Sequence, residues 1–388
     1  MPKLSEIFTL QMGKTPARAK NEYWNNGDND WVSISDLSTY DKYVGETKET
    51  ISDLAVMESG IKPAPADTVI MSFKLSLGKT AITVKPTYTN EAIMAFIPNG
   101  NYPVHTSYFY HFFVGYDWSN GTNRAVMGST LNKATLSEIE ITVPSIMEQI
   151  EIAKCLDKID ALISLRKQQL SKLDELVKSR FIELFGDPVS NPFRWSTLTM
   201  KQASIRLSDG PFGSNLKSEH YTDEGVRVIR LGNIGCGYFN DEDQSYISPE
   251  HYATIKKYTC RAGEIVIATL GDPNLRACIV PDHIEYGVNK SDCVHYIPKA
   301  EILNNQFVCQ YINCPETLSL ASGMVHGQTR SRISSGQLAD LPIYLPPMDL
   351  QQQFAAFVEQ TDKSKFEIQK SFEKLETLKK ALMQKYFG

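Results

Sequence analysis

The chain has 388 residues, 42% hydrophobic and 22% charged, with a formal net charge of −5 at pH 7. This composition excludes a disordered chain, which could not bury enough apolar surface to offset its entropy. The negative balance excludes a uniformly basic coat that grips nucleic acid nonspecifically, but leaves room for basic side chains gathered on one face.

At this length more than one domain is expected, because single cores stop growing at about 250–300 residues. No apolar run reaches the roughly 18 residues of a membrane span, and "MPKLSEIFTL" lacks the basic-then-apolar pattern of a secretory leader. A soluble, cytoplasmic chain with no membrane partner is expected. Seven cysteines, at 155, 236, 260, 278, 293, 309 and 314, include no C-x-x-C pair and read as free, mostly buried thiols. His283, Cys293 and His295 lie near one another in sequence but lack the second close pair of a structural metal site.

In chain order, residues 1–140 show short β-like runs broken by Gly, Pro, Asn and Asp, including "WVSISDL" at 31–37 and "DTVIMSF" at 67–73. Gly13-Lys14-Thr15 and Gly78-Lys79-Thr80 both carry the tail of a phosphate-binding loop. The glycine such a loop needs five residues earlier is replaced by Phe8 and Phe73, which do not take glycine's left-handed backbone angles. A nucleotide hydrolase is therefore disfavoured, and those lysines need another role.

Residues 131–186 lie over 333–388 without a gap at an offset of 202, with 12 identities in 56 positions. The punctuation matches as well. "LSEIEITVP" and "LADLPIYLP" each predict a strand stopped by Pro144 or Pro346. Ser145 and Glu148 then fit a capping box, while Pro347 and Asp349 suit the first turn of the second helix.

Both helices carry an apolar stripe in the same seven-residue frame. The first stripe is Ile152, Leu156, Ile159, Ile163, Arg166, Leu170, Leu173, Val177, Arg180 and Leu184. The second is Phe354, Val358, Thr361, Lys365, Ile368, Phe372, Leu375, Lys379, Leu382 and Tyr386. Each helix is predicted to run about 36 residues, roughly 54 Å, and the pair to form a coiled coil. Phe185-Gly186, followed by Asp187-Pro188, stops the first, and Phe387-Gly388 closes the second.

The second globular stretch, about 192–342, offers "VRVIRLGNI" at 226–234 and "GEIVIATLG" at 263–271 as strands in places similar to those of the first. Basic and amide side chains gather at the turns of both. The first stretch has Lys14, Arg18, Lys20, Lys74, Lys79, Arg124 and Lys133; the second has Arg206, Asn215, Lys217, Arg230, Asn233, Arg276, Gln328, Arg330 and Arg332. Arginine pairs bidentately with guanine edges, asparagine and glutamine with adenine, and lysine holds phosphates, so these are candidate contacts to DNA.

Catalytic patterns are fragmentary. Asp41, Glu46 and Lys48 make a short D-x4-E-x-K, Pro281-Asp282 has no partnered E-x-K, and "NPF" at 191–193 lacks the second proline of a methyltransferase tetrad.

The two strand-Pro-helix units, with the junction "SRFIELFGDPVSNPFRW", resemble the specificity subunit of type I restriction-modification enzymes across essentially the whole chain. "GKTP" and "DGPFGS" resemble the segments that open each target-recognition domain there; "MGSTLNKATLSEI" and "HGQTRSRISSGQLADL" resemble the closing segments. Leu350 stands where that family's pattern has an acid before Gln351, and Pro144-Ser145 replaces Pro-Pro.

The resemblance implies an α+β protein: two mixed α/β target-recognition domains joined by two long helices that form an antiparallel coiled coil. The expected division is target-recognition domain 1 over 1–143, helix 144–186, target-recognition domain 2 over 187–345, and helix 346–388. Each domain would read one half of a bipartite site on double-stranded DNA. The coil would set the spacing, about one DNA turn of roughly 34–36 Å. It implies no catalytic centre, cofactor or metal in this chain. Two methylation subunits would bring S-adenosylmethionine, and motor-nuclease subunits ATP and Mg. Two other readings stay open: a coiled-coil adaptor that does not read DNA, and the specificity subunit of a methylation-only system.

Overall fold

The structure, a computed structural model, describes residues 1–74, 76–118, 123–125, 128–322 and 332–388. The chain packs as two units, Met1–Lys167 with Lys370–Gly388, and Gln168–Gln369. Each unit holds one globular domain and part of each long helix.

The helices are Ile146–Phe185 and Met348–Phe387, each 40 residues, or about 60 Å at 1.5 Å per residue. The Ser145 N–H donates to Glu148 Oε2 at 2.9 Å and the Glu148 N–H to Ser145 Oγ at 3.3 Å, the reciprocal capping box expected from the sequence. The first helix stops where Gly186 turns to φ +77° and its N–H donates to the Ile182 carbonyl at 2.8 Å. A Cβ there would stand 2.5 Å from Pro192 Cγ, so conformation and space both require glycine.

Every one of the twenty stripe positions is buried or half-buried, whereas Lys158, Leu162 and Leu165 between them are exposed. In the first unit Asp160 pairs with Lys379 at 2.6 Å and the Lys167 ammonium lies 5.5 Å from the Phe372 ring centre. In the second unit Asp174 pairs with Lys365 at 2.7 Å. Partners advance by seven residues on one helix and retreat by seven on the other, the signature of an antiparallel heptad seam.

The globular domains share one scaffold although their sequences differ. The first has an antiparallel sheet in the order Phe8–Met12, Ile93–Pro98, Val69–Ser72, Thr80–Ile82. The second repeats it with Ser204–Ser208, Cys293–Pro298, Ile265–Ala268 and Arg276–Ile279. In the first, Trp24–Val32 pairs antiparallel with Glu49–Ile51 and parallel with Tyr88–Thr89. In the second, Val226–Ile229 pairs in the same senses with Ser245–Ile247 and Tyr286–Asn289.

The predicted strands at 31–37 and 226–234 are strands only at their start. That at 338–346 is a strand only over Pro342–Leu345, and 136–144 forms none, since Lys133–Ser137 is helical and only Glu140 bridges Lys3. Beyond Val32, the Ser33 N–H donates to Asp36 Oδ2 at 3.0 Å and Asp36 N–H to Ser33 Oγ at 3.2 Å, turning the chain into the helical turn Ile34–Leu37. Beyond Ile229 a corresponding turn spans Leu231–Asn233. Short polar side chains that close their own backbone outcompete strand alternation at these points.

A buried glutamine joins each domain to its helix start. Gln149 Oε1 accepts the His105 N–H at 2.9 Å, while its Nε2 donates to the Pro103 and Pro144 carbonyls at 3.0 and 2.9 Å. Gln351 repeats this with the Asn304 N–H at 2.8 Å and the Ile302 and Pro346 carbonyls at 3.0 and 2.8 Å. Both side chains are completely buried, and both satisfy groups that would otherwise be orphaned at a helix entry.

Candidate nucleic-acid interface

In the first domain the segment after Gly13 is held by its own cations. Lys14 donates to the Ser59 carbonyl. Arg18 grips Glu49 through two nitrogens at 2.5 and 3.1 Å and lies 3.7 Å over Trp24 and 4.8 Å over Trp31, both buried. Lys20 donates to Glu58 at 2.7 Å and to the Tyr23 hydroxyl at 2.6 Å; the Glu58 bond chiefly holds its ammonium above the ordinary lysine range. The Arg18–Glu49 and Lys20–Glu58 pairs are solvent-exposed, so water screens them.

Lys74 is half-buried with its ammonium 5.2 Å from the Phe73 ring centre. Lys79 is exposed after a turn in which Gly78 takes φ +78°, and its ammonium has no partner among the described residues. Lys133 is exposed at the start of Lys133–Ser137. The Arg124 side chain, Gln328 and Arg330 lie outside the described residues.

In the two Gly-Lys-Thr segments the glycine and lysine amides are already used. Gly13 N–H donates to the Ile93 carbonyl at 3.1 Å and Lys14 N–H to Thr89 at 2.8 Å; Gly78 N–H donates to the Ser72 carbonyl at 3.0 Å and Lys79 N–H to Ser72 Oγ at 3.1 Å. A phosphate loop needs those donors free. Of the nuclease-like residues, Lys48 donates to Ser35 Oγ at 3.0 Å. His283 faces Asp241 at 3.1 Å and His295 faces Glu264 at 2.8 Å, while Cys293 is buried.

In the second domain Arg332 is exposed, reaches Asp292 at 2.7 Å and Asp209 at 3.9 Å, and has its guanidinium 5.8 Å from the Phe212 ring centre. Phe212 is itself 48% exposed. Burial pushes the Asp209 carboxyl up, although it accepts the Gly210 and Asp292 N–H groups at 2.8 and 2.9 Å. Asn215 and Lys217 are exposed beside this loop; Asn215 Nδ2 donates to the Phe212 carbonyl at 3.2 Å, and Lys217 lies 3.5 Å from Glu219. Arg230 bonds Asp243 and Ser245, both at 3.0 Å. Arg206 donates to Ser208 Oγ at 3.0 Å and to the Lys257 carbonyl.

Two expected base readers are braces in this structure. Asn233 is fully buried: Oδ1 accepts the Arg230 N–H at 2.9 Å, and Nδ2 donates to the Asn240 and Asp243 carbonyls at 2.9 and 2.8 Å. It closes its turn as Asp36 does in the first domain, which spends the amide that adenine would need. Arg276 gives its guanidinium to the carbonyls of Ile234, Leu270, Pro273 and Leu231 at 2.6, 3.2, 2.7 and 3.0 Å. It ties neighbouring loops together.

Lys290 was missed by sequence reading. Half-buried, it lies 5.4 Å from the Tyr221 ring centre, with Arg230 at 5.9 Å from the same ring. The Asn-Lys-Ser-Asp turn it occupies was a signal, since such turns present side chains at strand ends.

Comparison with known proteins supplies the family. Residues 1–175 and 216–380 match the family described as "Type I restriction modification DNA specificity domain". The "Type I restriction enzyme MjaIX specificity subunit" of Methanocaldococcus jannaschii is 29% identical over 236 residues, covering 60% of this chain and 50% of that protein. The "Type I restriction enzyme EcoR124I/EcoR124II specificity subunit" of Escherichia coli is 31% identical over 186 residues, covering 46% and 45%. The matches thus span about half the length of these curated relatives. A crystal structure of the type I restriction-modification S subunit from M. genitalium superposes with a TM-score of 0.55 at 15% identity, covering 100% of this chain and 95% of that chain. A second, described as concerning complex assembly and conformational transition of the type I R-M system, reaches 0.61 at 15% identity, covering 99% and 96%. At such identities the likeness is one of fold.

Proposed function

The chain belongs to the type I restriction modification DNA specificity domain family, and from that premise we propose that it is the DNA-specificity subunit of a type I restriction-modification complex. Each globular domain reads one half of a bipartite site on double-stranded DNA. The paired helices set the spacing and dock two methylation subunits, which bind S-adenosylmethionine; motor-nuclease subunits supply ATP- and Mg-dependent cleavage. The chain contributes no catalytic group and acts in the cytoplasm.

One observation carries this reading: the same two-sheet scaffold occurs twice, on the same glutamine-pinned helix start, with different side chains on the loops. A repeated frame with divergent loops suits two readers of different sequences, because frame residues position and loop residues specify. Lys79, Lys133, Asn215, Lys217 and Lys290 are the proposed contacts that remain exposed or lightly held; Lys14, Arg18, Lys20, Arg230 and Arg332 would exchange a carboxylate or carbonyl for DNA.

Adenine-methylation mapping of host DNA, with the gene present and deleted, tests the proposal. A bipartite motif with a fixed spacer should lose methylation on deletion and regain it on complementation. Unchanged methylation in cells that express the companion methylation subunit would sink it.

A further inference from the structure

The two units differ at the joint between domain and helix. In the first unit Asp157, on the helix Ile146–Phe185, receives Lys42 Nζ at 2.5 Å, His111 Nε2 at 2.7 Å and Ser107 Oγ at 2.9 Å. His111 is completely buried, and the Lys42 side chain is only 17% exposed. Lys42 comes from a loop, Ser107 and His111 from the domain helix Thr106–Gly115. One carboxylate therefore joins three groups from two domain elements to the coil.

The second unit has nothing of this chemistry at the same positions. The glutamine pins align His105 with Asn304, which carries Ser107 onto Gln306 and His111 onto Gln310, while the 202-residue offset carries Asp157 onto Glu359. Glu359 turns outward to Lys363 on its own helix at 2.7 Å and is 69% exposed.

We propose that Lys42, Ser107 and His111, closed on Asp157, are positioning residues that set the pose of the first domain on its helix, and through it the reading of one half-site. The inference rests on the DNA-reading function proposed above. Moving a reader by about 1 Å breaks bidentate base contacts, so loosening this joint lowers discrimination at that half-site rather than overall charge attraction.

The groups facing His111 give the pH dependence its direction. Burial holds the imidazole below its ordinary value, against the opposing pull of Asp157 and then Asp160, whose Oδ2 is 3.9 Å from Nδ1. Lys42 opposes protonation, Lys379 pairs with Asp160 at 2.6 Å, and the Tyr110 hydroxyl donates to the Asp41 carbonyl at 2.9 Å. An opened joint takes up the proton more readily than the closed one. The histidine contribution is thus complete above the ordinary histidine value of about 6.5 and is lost as pH falls below it. Burial also opposes charge on Asp157, but the bonds from Lys42, His111 and Ser107 together outweigh it and hold that carboxyl low. Its share is lost only below the ordinary carboxylate value of about 3.9, so mild acid acts through His111.

The test uses the full chain with its methylation subunit and measures discrimination at each half-site. Discrimination is the ratio of Kd values for the cognate duplex and a duplex altered at one base pair of that half-site. Between about pH 8 and about pH 5.5, one half-site should lose roughly tenfold in discrimination while the other stays within about twofold. His111→Gln, which copies the second unit, should abolish the acid response. Asp157→Asn should reproduce the loss at neutral pH. Equal acid responses at both half-sites, or a His111→Gln variant that still responds, overturn the proposal.

Hydrogen exchange on the full chain separates this from the DNA reading. Acid should release Thr106–Gly115 more than Asn305–Asn313, after correction for intrinsic rates, in the wild type but not in His111→Gln. If exchange shows that selective release but the wild type discriminates at neither half-site, the positioning role in reading fails with the proposed function. No selective release overturns the latch itself.

Discussion

The ring of Phe387, one residue from the end of the chain, packs edge-on against Tyr108 of the first domain with centroids 5.5 Å apart. Nearby, a Cβ on Gly115 would stand 2.5 Å from Met383 Cε, so the last helical turns close tightly on the domain helix Thr106–Gly115. Phe185, at the matching end of the first helix, packs against Phe307 of the second domain at 4.9 Å. Each domain is thus completed by the far end of the other repeat's helix.

Phe387→Ala should therefore destabilise the first unit although it lies at the end of the chain. The ring is only partly buried, so the loss should be about 1–3 kcal/mol, below the roughly 3–5 of a fully buried phenylalanine. Hydrogen exchange should show lost protection in Thr106–Gly115 with Asn305–Asn313 unchanged. A uniform loss across both units would contradict this.

Gln149→Ala should cost about 2–4 kcal/mol, because it leaves one buried N–H and two carbonyls without partners. Gln351→Ala should cost a similar amount in the second unit, since its three bonds are equivalent. Urea unfolding followed by one probe in each domain should show the damage confined to the substituted unit. A midpoint unchanged in both would mean that water replaces the side chain.

Lys79→Ala should weaken DNA binding evenly across sequences and lower the salt slope by about one, as expected of a lysine that holds phosphate. Arg332→Ala should instead relax one half-site by about 1–3 kcal/mol while sparing the other. Titrations of cognate and single-substitution duplexes at several salt concentrations distinguish these. An unaltered slope removes Lys79 from the interface.

Asn233→Asp should destabilise the second domain by about 1–3 kcal/mol, because a carboxylate would face the Asn240 and Asp243 carbonyls where the amide donated. It should not change the preferred base at neutral pH in the fraction that stays folded. A switch in base preference would return Asn233 to the reading surface.

Inserting seven residues at matched heptad positions in both helices keeps the seam in frame and adds about 10 Å. If the coil sets the spacing, the spacer between half-sites should grow by about three base pairs at roughly 3.4 Å each. Methylation mapping of the lengthened variant reads this directly, and an unchanged spacer would show that the coil does not act as the ruler.

The periodic and local features were determined by the sequence alone. The 202-residue repeat, the twenty-position stripe, the Ser145–Glu148 cap and the Gly186 stop each depend on residues within a few turns of one another or on a repeating frame. Burial of that stripe follows from spacing alone, because a helix presents every third or fourth residue on the same side. The same local logic, applied with too little weight to short polar side chains, extended strands past Val32 and Ile229, where Ser33 with Asp36, and Arg230 with Asn233, close helical turns instead.

Only the tertiary structure decided which charged groups are free. Arg18 meets Glu49, Arg276 meets carbonyls from two loops, and Lys42 reaches Asp157 across 115 positions of chain. None of these partnerships has a period or a fixed spacing, because loops bring residues together through the scaffold rather than through their own order. A basic residue at a turn looks the same in sequence whether it awaits a phosphate or already holds a carbonyl. Its three-dimensional neighbours determine which of the two costs less to desolvate.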